Sequence, residues 1–135
     1  VQSDIESFKS IDDRGQWMLQ PTYYEHESGL NCVDIAKRLA FLRGNIVKYV
    51  WRAGNKGDLV QDLQKAIEYA QILIVDPDRV CQDQELVSMI DWYCKNESHD
   101  LRRTIIRSAA LDSSEIDLKE GVLMKLDQWV DSTRS

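Results

Sequence analysis

The stretch Gly44-Asn45-Ile46-Val47-Lys48-Tyr49-Val50-Trp51-Arg52-Ala53-Gly54-Asn55-Lys56-Gly57-Asp58-Leu59 decides the fold. At about 100° per residue, Ile46, Val47, Val50 and Trp51 gather on one side of a helix, and Asn45, Lys48, Tyr49 and Arg52 share the other. The spacing predicts a helix from about residue 45 to 53. Gly54 follows as its C-terminal cap, because glycine accepts the left-handed conformation. Residues 55–58 then form a tight loop. A further helix is predicted over about residues 59–75, burying Leu59, Leu63, Ala66, Ile67, Ala70 and Ile74. Asp62, Lys65 and Tyr69 lie along one flank, and Asp76-Pro77-Asp78 ends it. So short a link permits only near neighbours. The two helices are therefore expected to pack antiparallel through Ile46, Val50, Leu63 and Ile67.

The same reading extends in both directions. Upstream, Asn31 can cap a helix carrying Val33, Ile35, Ala36, Leu39 and Ala40. Ser28-Gly29 marks a turn, and Pro21-Thr22-Tyr23-Tyr24 reads as an extended entry segment. Residues 1–20 have weak periodicity and read as an arm whose Trp17, Met18 and Leu19 pack on the body. Downstream, Leu86, Met89, Ile90 and Tyr93 sit at helical spacing. So do Leu101, Ile105, Ile106 and Ala109, and then Val122, Leu123, Leu126 and Val130. Ser113-Ser114 ahead of Glu115 and Asp117 looks like a helix start. No alternating β-branched run suggests a strand. The expectation is an all-α small helical bundle with an arm over 1–20, a core over 21–76 and a helical extension over 77–135 without an assigned role. Narrow apolar stripes, with Trp17, Trp51, Trp92 and Trp129 spread along them, point to a homo-oligomer.

The longest apolar runs, such as residues 72–75, are too short to span a bilayer. The first residues lack the basic and apolar regions of a signal peptide. Cys32, Cys81 and Cys94 are widely spaced and stand apart from His26 and His99, which argues against a disulfide framework or a structural zinc site. These features suit a reducing cytoplasm. The chain carries a net charge of −6, yet residues 37–65 hold +5 and the remainder −11. A basic island on an acidic protein attracts a compact anion and repels a long polyanion, so general nucleic-acid binding is disfavoured.

The chemistry-bearing side chains fall in that island. Lys48 and Arg52 share a helix face, Lys56 sits in a Gly-flanked loop, and Asp62, Lys65 and Tyr69 follow on the next helix. Arg grips phosphate with a planar fork, Lys supplies a point charge, and the loop N–H groups can cradle the same anion. Tyr rings can stack on a base. The set suits a nucleotide. The competing reading is structural, with Arg52 and Asp62 as an interhelical ion pair and Tyr49 and Tyr69 as packing. Neither G-x-x-x-x-G-K-[ST] nor G-x-G-x-x-G is present.

The string Pro21-Thr22-Tyr23-Tyr24, Asn31-Cys32-Val33-Asp34-Ile35, Gly44-Asn45-x-x-Lys48-Tyr49-x-x-Arg52-Ala53-Gly54-x-Lys56 and Asp62-Leu63-x-Lys65-Ala66-x-x-Tyr69 resembles a family of small phage proteins. These are labelled nucleotide-kinase-like, after a nucleoside-monophosphate kinase of a lytic coliphage. The resemblance spans residues 21–75. It implies phage origin, action in the host cytoplasm, a nucleotide ligand and a ring-like homo-oligomer. The family usually has His-Tyr where this chain has Tyr23-Tyr24.

Two functions follow as expectations. One is phosphoryl transfer from a nucleoside triphosphate with Mg²⁺ to a nucleoside monophosphate. Lys48, Arg52, Lys56 and Lys65 would then hold phosphates. Asp62 would bind the metal through water or orient the acceptor, Asn45 would contact base or ribose, and Tyr24, Tyr49 or Tyr69 would stack. The other is a non-catalytic sponge that sequesters host immune signalling nucleotides. No protein side chains are expected to form a dedicated metal site. A purely structural interaction module is the third class.

Overall fold

The computed structural model describes residues 10–11, 17–18, 26–78, 80 and 83–134. Its helices are α1 (Cys32–Ala36), α2 (Phe41–Arg52), α3 (Leu59–Val75), α4 (Gln84–Asn96), α5 (Asp100–Leu111), α6 (Glu115–Leu118) and α7 (Met124–Ser132). A π-helical segment, Lys119–Leu123, joins α6 to α7. The all-α expectation holds for this body. Two strands of two residues each, β1 (Ser10–Ile11) and β2 (Trp17–Met18), pair antiparallel with Ser10 opposite Met18 and Ile11 opposite Trp17. So short a ladder needs no alternating pattern, which is why none announced it. The rest of the arm reading, the packing of Trp17, Met18 and Leu19, and the entry segment with Tyr23 and Tyr24 lie outside the described residues.

Local chemistry sets the helix ends. The Asp34 carboxylate accepts from Asn31 N–H at 2.8 Å, the reciprocal half of a capping box on α1. Asp58 caps α3 by accepting from Gln61 N–H at 3.1 Å, and Ser114 caps α6 by accepting from Asp117 N–H at 3.0 Å. Gly54, just beyond the end of α2, has φ +83°, as its C-capping role requires. Helix α2 begins at Phe41, four residues earlier than the periodicity indicated, and so encloses Gly44. A Cβ at Gly44 would come within 3.2 Å of the Ala36 carbonyl oxygen. The absent side chain lets α2 cross the end of α1 closely, and that packing outweighs glycine's weak helix propensity.

Helices α2 and α3 run antiparallel. Phe41, at the start of α2, meets Tyr69 late in α3, and Arg52, at the end of α2, meets Asp62 early in α3. Ile46, Val47, Val50 and Trp51 are buried, as the wheel indicated, with Leu63, Ala66, Ala70 and Leu73 of α3 opposite them. Ile67 is only partly buried and packs at the edge of this core. The other side of α2 is covered by α5, whose Ile105, Ile106, Ala109 and Ala110 are buried. Tyr93, Leu118, Val122, Leu126, Trp129 and Val130 join the same cluster, so residues on both sides of Pro77 share one core. Trp51 and Trp129 belong to that core, while Trp92 is 53 % exposed.

Arg43 ties the bundle together. It is 1 % exposed. Its Nε donates to Asp78 Oδ1 at 2.6 Å, Nη2 to the Asp78 carbonyl at 3.0 Å, and Nη1 to the carbonyls of Ala109 and Asp112 at 3.0 and 2.6 Å. One guanidinium thus satisfies carbonyls after α3 and at the end of α5 that would otherwise lose water for nothing.

Candidate functional site

The seam between α2 and α3 gathers most of the side chains that the basic island predicted. Tyr49 and Tyr69 stack across it with centroids 6.1 Å apart and planes 18° apart. Lys48 Nζ sits 4.8 Å from the Tyr49 ring centre, within cation–π range. Arg52 Nε approaches Asp62 Oδ1 at 3.5 Å. Lys65, half-exposed, pairs with Glu68 at 3.4 Å on its own helix. Lys56 is exposed on the turn between the helices. That turn passes close over Arg52: Gly57 has φ +73°, and a Cβ there would lie 3.3 Å from Arg52 Nη2.

Burial sharpens these roles. Asn45 and Lys48 are not a solvated arc, at 6 % and 8 % exposure. The spiral of α2 carries them into the interhelical groove, and Asn45 Nδ2 donates to the Phe41 carbonyl at 2.8 Å within its own helix. Asp62 is 5 % exposed, and among the described residues its Oδ2 accepts no hydrogen bond. Burial raises the Asp62 carboxyl above its ordinary value. Arg52 and Lys48 oppose that rise and Asp58 adds to it. Burial, then the Tyr69 phenol, raise Tyr49, against Lys65 and Arg52. Tyr49 therefore presents a neutral O–H donor at neutral pH. Both the ion pair and the ring stack of the structural reading are present, and they hold the same cations and rings at a single seam.

Part of the positive charge has other work. Arg43 is the internal tie described above, and Arg38 pairs with Asp83 and Glu85 at 3.4 and 3.0 Å. The cationic surface is thus narrower than the +5 count implied. It is centred on Arg52, Lys56 and Lys65, with Lys48 buried beside Tyr49. Tyr24 lies outside the described residues.

Two features escaped the sequence reading. Phe41 is 55 % exposed with its ring edge-on to Tyr69 at 6.1 Å, and it was missed because α2 starts earlier than expected. The second is a buried polar network on the opposite side of α2. Glu97 Oε1 accepts from the Tyr93 hydroxyl at 2.8 Å and faces His26 Nε2 at 3.4 Å. Its Oε2 accepts from His99 N–H at 3.0 Å and lies 3.9 Å from Arg102. Arg102 in turn donates from Nε to the Val50 carbonyl at 3.2 Å and from Nη2 to the Ala53 carbonyl. It thereby caps the end of α2 from α5. Burial alone would raise Glu97, but His99 N–H, the Tyr93 hydroxyl, Arg102 and His26 together hold it below its ordinary value. These residues have no common spacing, so only the fold brings them together.

Residues 18–71 match the model of a family described as "Protein of unknown function (DUF3310)". The match covers less than half of the chain. It nevertheless contains all nine residues singled out for the site, Tyr24, Asn45, Lys48, Tyr49, Arg52, Lys56, Asp62, Lys65 and Tyr69, while α4 to α7 lie beyond it. No curated protein and no solved structure matches the chain. Among the described residues, no helix is long and apolar enough to cross a membrane. Cys32 is buried and Cys94 half-buried, both as free thiols, and Cys81 lies outside the described residues.

Proposed function

We propose that this is a nucleotide-binding protein of phage origin, working in the host cytoplasm, whose ligand occupies the α2–α3 seam. The observation that carries the reading is the convergence of Lys48, Tyr49, Arg52, Lys65 and Tyr69 from two helices onto one seam, with Lys56 on the turn beside them. Phosphate oxygens suit a guanidinium already steered by a carboxylate and roofed by a glycine turn. Tyrosine rings supply the face on which a base stacks.

Two activities fit such a site. A nucleoside-monophosphate kinase-like phosphotransferase is favoured by the buried Oδ2 of Asp62, which accepts no hydrogen bond from the described residues and would gain a partner in a substrate hydroxyl or a metal-bound water. Catalysis there is positioning and charge neutralisation, and Mg²⁺ enters with the nucleoside triphosphate. A sponge that retains host signalling nucleotides without turnover is favoured by the engagement of the neighbouring acids. Asp58 caps α3 and Glu68 pairs with Lys65. Incubation with a mixed nucleotide pool and Mg²⁺, followed by chromatography of the solution and of the protein-bound fraction, separates the two. New phosphorylated species identify transfer, and an unaltered nucleotide eluting with the protein identifies retention. A pool that is neither altered nor depleted overturns nucleotide binding altogether.

A further inference from the structure

The α2–α3 seam has two chemically different ends. At one end stand Arg52, Asp62 and the turn bearing Lys56. At the other stand Phe41 and Tyr69, joined by Ile72 one turn further along α3. Phe41 and Ile72 are 55 % and 57 % exposed, among the largest apolar side chains left open to water. Tyr49 stacks on Tyr69 between the two ends, with Lys48 over its ring. From Phe41 to Arg52 is eleven residues of helix, a rise of about 16 Å. That is too long a track for a phosphate alone, and it changes from cationic to aromatic along its length.

We infer that a nucleoside di- or triphosphate lies along this seam with its base against Phe41 and Tyr69 and its phosphates at Arg52, which makes Phe41 the residue that selects a nucleotide over inorganic phosphate. This rests on the nucleotide reading above and adds its direction and its base-binding end. An aromatic end opposite a cationic one is wasted on inorganic phosphate, but it matches a molecule with a π-face at one end and negative charge at the other. Stacking on an aromatic ring tolerates any base. The acidic remainder of the protein repels a continuous polyanion, so the occupant is a single nucleotide and not a strand. Phe41 is exposed at the first turn of α2, so its removal leaves the core intact.

The test is calorimetric titration of the full chain with ATP, dTTP and inorganic tripolyphosphate, using wild type, Phe41→Ala, Phe41→Trp and Arg52→Ala. Phe41→Ala is expected to lose roughly 5- to 150-fold in affinity for ATP and dTTP, the loss of one base–aromatic stack, with tripolyphosphate affinity unchanged. Phe41→Trp should retain nucleotide binding. Arg52→Ala should weaken all three ligands. Equal nucleotide affinity in Phe41→Ala and wild type overturns the orientation while leaving the site standing. So does a loss in Phe41→Ala that tripolyphosphate shares. Wild type that binds none of the three overturns the nucleotide reading itself.

Discussion

Arg52 is gripped by Asp62 on one side and roofed by Gly57 on the other, so its guanidinium is presented in a restricted pose. Arg52→Ala is expected to weaken nucleotide binding by roughly 1.5–3 kcal/mol, the range for hydrogen bonds to a charged group. Arg52→Lys should restore only part of this, since the planar fork is gone. Calorimetric titration measures both, with circular dichroism to show that the helices persist. The same substitution strands the Asp62 carboxylate at a buried position. Stability should therefore fall as well, and a second change, Asp62→Asn, should recover it. Asp62 also has a sign of its own. Its folded carboxyl holds a proton more tightly than the unfolded one, so the folded state binds more protons just above the ordinary carboxylate range. Its contribution to stability is present at lower pH and is lost as pH rises through that range. Denaturant melts of Asp62→Asn from pH 3 to 7 should lack this decline; an unchanged pH profile would remove Asp62 as its source.

At the scale of elements, the tightest surroundings of any described glycine are where the π-helical segment meets α5. A Cβ on Gly121 would collide with Ser108 Oγ and lie 2.7 Å from Ser108 Cβ, with Ser108 itself buried. Gly121→Ala is expected to cost about 1–3 kcal/mol, as overpacked cores do, and Ser108→Gly in the same chain should return much of it. Urea melts of the single and double variants decide this. Glu97 sets the acid limit of the α2–α5 junction with the opposite sign to Asp62. Its carboxyl is held low in the folded state, so its contribution is present above the ordinary value and disappears as pH falls through the lowered one. Glu97→Gln should flatten acid unfolding, and a variant that loses stability as steeply as wild type below pH 5 would contradict it. Much of this level was legible beforehand. Helix α3 runs from Leu59 to Val75 as its pattern indicated, and Asn31, Gly54 and Ser114 end helices where their chemistry said. These signals are local: a cap or a 3.6-residue stripe is complete within a few residues. The start of α2 was not legible, because Gly44 is placed by close contact with the Ala36 carbonyl of the preceding helix, which leaves no mark in the apolar pattern. The Glu97 network was invisible for the same reason, since His26, Tyr93, Glu97 and Arg102 meet only after folding. Within the site, the spacing placed Tyr49, Arg52, Asp62, Lys65 and Tyr69 on facing flanks. It could not show that Lys48 and Asn45 sink into the groove.

For the molecule as a whole, Trp51, Trp92 and Trp129 divide into two kinds. Trp51 and Trp129 are consumed by the core, so the case for self-association rests on Trp92 and on the exposed Val75, Ile116 and Met124, which stand apart from the seam. A homo-oligomer, at least a dimer, is the expected state, and sedimentation at tens of micromolar, roughly the range of a weak dimer, checks it. A monomer throughout that range would leave these side chains to solvent. The dependence of α2 on α5 has a temporal consequence. Every side chain proposed to touch the ligand has been synthesised by Tyr69, yet Arg102, which caps α2, and the carbonyls held by Arg43 come from residues 100–112. On the ribosome, where residues emerge one after another, the half of the chain proposed to bind ligand lacks these contacts until the later half appears. A chain that stops near Pro77 holds the whole seam in its sequence without the later contacts that cap α2 and fix Arg43.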